Sequence, residues 1–142
     1  MKKQTYIGVY ALIKNSDKIL FIKKSRGPYT GQWDLPGGGL NFGETSLDGL
    51  RREVLEETGL KIKSATLLNV LTNKTIYKQD NGEEDRDFYH IGIIYNVITE
   101  DNLDNLKTKP DGQDSAGANW IAKEKIDCNT LSPFAKNIYE TI

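Results

Sequence analysis

Most apolar residues fall in short runs rich in β-formers, and the spacing turns helical twice, near residue 45 and after residue 131. Tyr6–Ile13 reads as a first strand, Asn15-Ser16-Asp17 as a turn and Lys18–Lys23 as a second strand, which makes a hairpin. Ser25–Gln32 holds Gly27, Pro28 and Gly31 and reads as loop. Trp33–Leu35 suits a short strand stopped by Pro36, and Gly37-Gly38-Gly39 with Gly43 predicts irregular backbone. Thr45, with Asp48 three residues on, is an acidic variant of the helix-capping signature. Leu47, Leu50, Val54 and Leu55 then recur at helical spacing, and Gly59 stands where a helix C-terminal glycine belongs. These signals predict a helix over Ser46–Thr58.

Leu60–Thr72 reads as a strand with a bulge near Ser64. Asp80-Asn81-Gly82 is a turn flanked by strands at Thr75–Lys78 and Asp87–Ile98, the latter being the best central-strand candidate. Asp101–Asp114 is polar and reads as loop, with a helical turn around Leu103 and Leu106. Ala118–Ala122 suits a strand anchored by Trp120. A C-terminal helix follows Leu131, with Ser132 as N-cap, Pro133 in the first turn and Phe134, Ile138 and Ile142 spaced by four. Mixed strands with two helices predict an α/β (α+β) fold, and 142 residues suit one domain over 1–142.

Composition narrows the class. The apolar fraction of 37% suits one core, and no run approaches transmembrane length. The 19 basic and 20 acidic residues give a net charge of −1, which excludes the whole-domain basic footprint of a typical nucleic-acid binder. A single cysteine, Cys128, excludes an intrachain disulfide and points to a cytoplasmic protein. Lys2 and Lys3 precede a short run that contains Gly8 and reads as a strand, not a leader. An anionic ligand therefore needs local charge placement or a bound cation.

The predicted first helix carries the strongest candidate chemistry. Glu53, Glu56 and Glu57 stand at i, i+3 and i+4, and at about 100° per residue they share an arc of roughly 100° away from the apolar face. Three carboxylates so close repel one another unless a cation joins them, and an oxygen-only site favours Mg2+, with Mn2+ as a substitute. Three glutamates on a helix also describe a solvated acidic face, and Leu35–Gly39 alone also describes an ordinary turn. A glycine-rich loop opening onto a helix N-terminus suits phosphate oxygens, and Gly38 is placed to offer its carbonyl to the same metal.

The spacing as a whole is diagnostic. Gly38, Glu44, Arg52, Glu53, Val54, Glu56, Glu57, Gly59 and Leu60 match every specified position of G-x5-E-x7-R-E-U-x-E-E-x-G-U, where U is aliphatic. The chain thereby resembles the Nudix hydrolases, of the MutT-like kind, over Gly38–Leu60, and Trp33-Asp34-Leu35-Pro36-Gly37 resembles the family's lead-in. The resemblance implies an α/β/α sandwich with a mixed central sheet. It implies hydrolysis of a nucleoside diphosphate linked to a further group, at a pyrophosphate bond, by water. It assigns Glu53, Glu56, Glu57 and the Gly38 carbonyl to the metal, and Glu53 to the general base. Arg52 would orient Glu53 or another of these carboxylates, and Glu44 would tie down the loop or reach the metal through water.

Outside the motif the expectations are looser. Lys23, Lys24 and Arg26 are candidates for substrate phosphate or base, against a solvated strand end. Glu100, Asp114 and the cluster Glu83, Glu84 and Asp85 are candidates for an additional acid. Thr75 stands where relatives that cleave ADP-ribose tend to have proline, and Tyr77 where dinucleoside polyphosphate hydrolases tend to have tyrosine. A nucleoside triphosphate or a dinucleoside polyphosphate is thus favoured over ADP-ribose. His90 lacks a neighbouring Cys or His for zinc, Cys128 reads as packing, and Trp33 and Trp120 as core or pocket walls. Gly38-x4-Gly43 is followed by Glu44 where a P-loop needs Lys. The rival readings are a nucleotide-sensing module without catalysis and an RNA-processing enzyme. The expected partner is a small nucleotide, with no membrane and no long nucleic acid, acting on a monomer or homodimer.

Overall fold

The computed structural model describes residues 1–100, 106–108 and 115–142. The elements run β1 (Lys2–Asn15), β2 (Lys18–Lys24), β3 (Trp33–Asp34), β4 (Gly37–Gly39), α1 (Ser46–Thr58), β5 (Ile62–Tyr77), β6 (Arg86–Thr99), β7 (Ser115–Ala122) and α2 (Pro133–Thr141). β6 lies between β1 and β5, parallel to the first and antiparallel to the second, so the sheet is mixed. β4 pairs antiparallel with β1, and β2 carries β3 and β7 as antiparallel partners.

Successive strand residues point to opposite faces, so the uninterrupted apolar run of β1 feeds two cores. Val9, Ala11 and Ile13 pack with Leu50 and Val54 of α1. Tyr10 and Leu12 pack with Leu35, Phe134 and Ile138 on the other face, beneath α2. A helix on each face of a mixed sheet is the α/β/α layering that the motif implied.

Several expectations shift. Gly37–Gly39 is a short strand, not irregular backbone, because its register against Gly8–Tyr10 supplies backbone partners. The predicted strands at Leu60–Thr72 and Thr75–Lys78 are one strand of 16 residues, with irregular register near Ser64 and again at Leu67–Asn69. Leu47 and Leu55 are exposed, leaving the core face of α1 to Leu50 and Val54. Ile142 lies beyond α2 and is also exposed. Leu106 packs against the first core, while Leu103 lies outside the described residues. Cys128 is a free, half-buried thiol.

Two tight features tie the layers. Ser132 caps α2, and its hydroxyl donates to Asp34 Oδ1 at 2.6 Å, which fixes β3 to the α2 N-terminus. Gly37 has φ +149°, and a Cβ there would overlap the Val9 carbonyl oxygen and approach Tyr10 Cα to 2.7 Å. Only glycine allows that approach.

His90 is the buried polar group of β6, with its Nε2 2.6 Å from the Tyr10 hydroxyl and its Nδ1 3.0 Å from the Tyr29 hydroxyl. Burial, with the nearby charge of Lys24, lowers its pKa from 6.5 to about 4. Between those two values the unfolded chain binds a proton that the folded chain refuses, so stability falls as pH falls through that window.

Two outcomes are expected. Gly37→Ala lowers the unfolding free energy by about 2–4 kcal/mol, read from urea midpoints, because strain and overlap add. His90→Gln flattens the loss of stability between pH 6.5 and pH 4, read as a shrinking difference from the unaltered protein in urea titrations across that window.

Candidate active site

The acidic helix begins and ends on local signals. The Thr45 hydroxyl accepts from the Asp48 N–H at 3.1 Å, and Gly59 closes the helix in a left-handed conformation at φ +76°. Arg52 then gathers the carboxylates around it. Its Nε and Nη2 donate to the two oxygens of Glu44 at 2.7 and 2.9 Å, a bidentate pair. Its Nη1 donates to Glu53 Oε1 at 2.9 Å and reaches Glu56 Oε2 at 3.5 Å, while Nη2 also donates to the Gly39 carbonyl at 3.1 Å. The guanidinium bonds hold the Glu44 pKa down at about 2, and the carboxylates in turn raise that of Arg52. Glu44 also accepts from the Asn41 N–H at 3.0 Å, so it ties the glycine loop to the helix.

The three glutamates stand in different surroundings. Glu56 is the most exposed, and Glu53 lies against β4, where a Cβ on Gly38 would come within 2.7 Å of its carboxylate. Glu57 is buried, at 3% exposure. Its Oε1 accepts from the Gly37 N–H at 2.6 Å, and its Oε2 has no hydrogen-bond partner. Burial drives the Glu57 pKa well above the usual carboxylate value, with the Gly37 N–H and the charge of Lys24 opposing. Among the described residues, no three Asp, Glu, His or Cys side chains converge on one point. Arg52 draws Glu53 to one side and the Gly37 N–H draws Glu57 to the other.

These residues fit a hard divalent cation on two counts. A buried carboxylate oxygen without a partner is costly, and a cation relieves it. The donors offered by Glu53, Glu56, Glu57 and the Gly38 backbone are all oxygen, the set that Mg2+ or Mn2+ prefers.

Gly38 also lines a pocket of about 300 Å3 on the other side. Its walls are Tyr6, Tyr10, Tyr29, Tyr77, Phe88 and His90. The rings meet mostly tilted or edge-on, with centroids 4.4 to 6.5 Å apart across the cluster that includes Phe134. Lys24, Arg26 and Asp34 add charge to the rim and floor. Asp34 is fully buried and its pKa is raised by that burial, against the pull of Lys24, Ser132 and the Leu35 N–H.

Of the residues singled out from sequence, Lys24, Arg26 and Tyr77 line this pocket. Lys23 does not: alternation turns it to the opposite face, where its Nζ stands 4.9 Å over the Trp33 ring. Glu100 lines a different groove with Lys14, Asn15 and Trp120, and its N–H bonds to Lys61. Glu83, Glu84 and Asp85 are held at the β5–β6 turn by Arg86, the N-terminal amine and Lys78 respectively. Asp114 lies outside the described residues. Sequence reasoning missed Asp34, Tyr10, Tyr29 and His90 as pocket residues. Tyr6, Tyr10, Phe88 and His90 are all even-numbered positions of two paired strands, a signal for a shared aromatic face that was available.

Comparison with known proteins bears on the family and the fold. The family model described as NUDIX domain matches residues 2–142. The chain is 32% identical over 125 residues to the nucleoside triphosphatase NudI of Escherichia coli, covering 83% of this chain and 82% of that protein. It is 40% identical over 67 residues to an ADP-ribose pyrophosphatase of Methanocaldococcus jannaschii, a match that covers 47% of this chain and only 40% of that relative's length. The crystal structure of a MutT NUDIX hydrolase from Burkholderia pseudomallei superposes with a TM-score of 0.76 at 26% identity, covering 98% of each chain. With the full motif running from β4 through α1 to Leu60 and the family's domain over nearly its whole length, the chain belongs to the Nudix hydrolase family.

Proposed function

We propose that this protein is a Mg2+-dependent pyrophosphohydrolase of nucleoside triphosphates or dinucleoside polyphosphates. The observation that carries this reading is the position of Gly38, which abuts the Glu53 carboxylate and also forms part of the aromatic pocket. A nucleotide with its base among the rings has its phosphates beside the carboxylate helix. Glu53, Glu56, Glu57 and the Gly38 carbonyl would hold the cation. When bound, it supplies neutralisation of the diphosphate and a lowered pKa for water.

The chain's own residues do the rest. Glu53 takes the proton from the attacking water, with its carboxylate aimed by Arg52. Arg52 is itself fixed by Glu44, which makes Glu44 a structural residue of the loop. Lys24 and Arg26 bind phosphate oxygens, and Tyr77 closes the aromatic wall. The near-full-length similarity to NudI supports a nucleoside triphosphate, while Thr75 in place of the proline expected for ADP-ribose cleavage argues against that substrate. The net charge of −1 and the pocket's small volume favour a small nucleotide over a nucleic-acid chain. The lone thiol supports a cytoplasmic site of action.

A panel of nucleoside triphosphates, dinucleoside polyphosphates, nucleotide sugars and ADP-ribose, assayed with Mg2+, is expected to show turnover of the first two classes. Cleavage of none would favour the sensing module instead. Chelation by EDTA is expected to abolish turnover, and added Mg2+ or Mn2+ to restore it. Glu53→Gln and Glu57→Gln each lower kcat by about a thousandfold with unfolding midpoints preserved. Near-full activity in both variants would remove the catalytic assignment.

A further inference from the structure

His90 is the single histidine of the chain, and the chemistry proposed for the carboxylate helix gives it no part. It stands in the pocket wall, with its ring stacked on Tyr29 at 5.5 Å and edge-on to Tyr10 at 5.5 Å. Both ring nitrogens are engaged, Nε2 by the Tyr10 hydroxyl and Nδ1 by the Tyr29 hydroxyl. A neutral imidazole has one donor and one acceptor nitrogen, so these contacts run in a single direction.

Asn73 on β5 bears on the direction. Its side-chain amide nitrogen donates to the Tyr29 hydroxyl oxygen at 3.4 Å. A phenol oxygen has one proton and two lone pairs, so while it accepts from Asn73 its proton is available to His90 Nδ1, and the chain is followed in that sense. Nδ1 accepts, so the ring hydrogen sits on Nε2 and is donated to the Tyr10 hydroxyl oxygen. The Tyr10 proton therefore points away from His90. Tyr10 and Tyr29 both line the pocket that Gly38 shares with the carboxylate helix.

We infer that Asn73, Tyr29, His90 and Tyr10 form a directed hydrogen-bond chain that presents the Tyr10 hydroxyl as a donor to an acceptor, a ring nitrogen or carbonyl oxygen, on the base of the bound nucleotide. The ligand half of this inference rests on the nucleotide reading of the pocket. Asn73 and His90 are positioning residues, because they act through the two tyrosines. The surroundings keep the chain in one state. Tyr6, Tyr10, Tyr29, Phe88 and Phe134 enclose the imidazole, and the charge of Lys24 joins burial in disfavouring a proton on it. A charged ring has two donors and would force Tyr29, like Tyr10, to accept, which reverses the Tyr29 contact and breaks the chain there.

A sole histidine makes the test direct. Long-range 1H–15N NMR of the imidazole at pH 7 is expected to show the neutral tautomer protonated at Nε2. Asn73→Asp replaces the donor by an acceptor and is expected to move the proton to Nδ1. The same variant is expected to raise KM for nucleoside triphosphates about tenfold, the loss of roughly one hydrogen bond, with kcat within twofold. Tyr10→Phe should raise KM by a similar factor and leave His90 neutral. A proton on Nδ1, or an imidazolium, in the unaltered protein at pH 7 would overturn the inference, as would an unchanged KM in both variants. No turnover of any nucleotide by the unaltered protein would overturn the substrate reading, and the tautomer then still decides the direction of the chain.

Discussion

The close approach of backbone at Gly37–Gly39 to β1 on one side and α1 on the other governs the site. A Cβ at any of the three would meet a neighbour: the Val9 carbonyl at Gly37, the Glu53 carboxylate at Gly38, the Tyr6 hydroxyl at Gly39. Without side chains, β4 becomes a thin partition between helix and strand. That thinness lets the Gly37 N–H reach Glu57 inside the protein, and lets Arg52 reach the Gly39 carbonyl from outside. It also gives Gly38 two neighbours, the carboxylates and the aromatic pocket. Any larger residue would push the two apart.

The charge arrangement runs against stability. Four carboxylates, Glu44, Glu53, Glu56 and Glu57, crowd one region, and a single guanidinium contacts three of them. Glu57 escapes Arg52 and is buried with one oxygen unpaired. A chain selected for stability alone would not retain such a group, because a buried polar atom without a partner lowers folding free energy. Violations of this kind concentrate where function demands them. The overall charge of −1 conceals this local excess of acid, and Lys24 and Arg26 stand across the partition from it. On the proposed reading, an anionic substrate would meet repulsion from one wall and attraction from the other unless a cation changed the sign of the first.

What was legible in sequence was what is local in sequence. Thr45 and Gly59 act within one helix, and their capping follows from helical geometry alone, whereas the i, i+3, i+4 spacing puts Glu53, Glu56 and Glu57 on one arc without revealing that Glu57 is buried. Most strands and the second helix were also legible from apolar runs, apart from β4, the split of β5 and the one residue by which the second helix was carried on to Ile142. Gly37–Gly39 was misjudged because glycine signals permissiveness, while its use here as a strand depends on a partner, Gly8–Tyr10, nearly thirty residues away. Leu47 and Leu55 fit the helical period but lie at the margins of the stripe, where α1 has no layer to cover them. Lys23 and Lys24 are adjacent and chemically alike. Only the strand's alternation, with Trp33 waiting on one face, separates their roles.

The pocket obeys a different logic from the helix. His90 meets partners 80 and 61 residues away, and Asn73 meets Tyr29 across 44. Strand alternation puts Tyr10 and His90 on one face, but the contacts themselves form only when β1, β5 and β6 are registered and the Ser25–Gln32 loop folds over them. The residues proposed for phosphate chemistry and those proposed to face the base therefore come from different stretches of the chain, and the backbone of β4 is where they touch. Tyr10, Tyr29, Asn73 and His90 set the shape and hydrogen bonding of the pocket, while Glu53, Glu56 and Glu57 stand on α1. A fold divided in this way would let one site of the proposed chemistry serve different bases, because one helix spaces the carboxylates while the pocket is assembled from β1, β5, β6 and the Ser25–Gln32 loop.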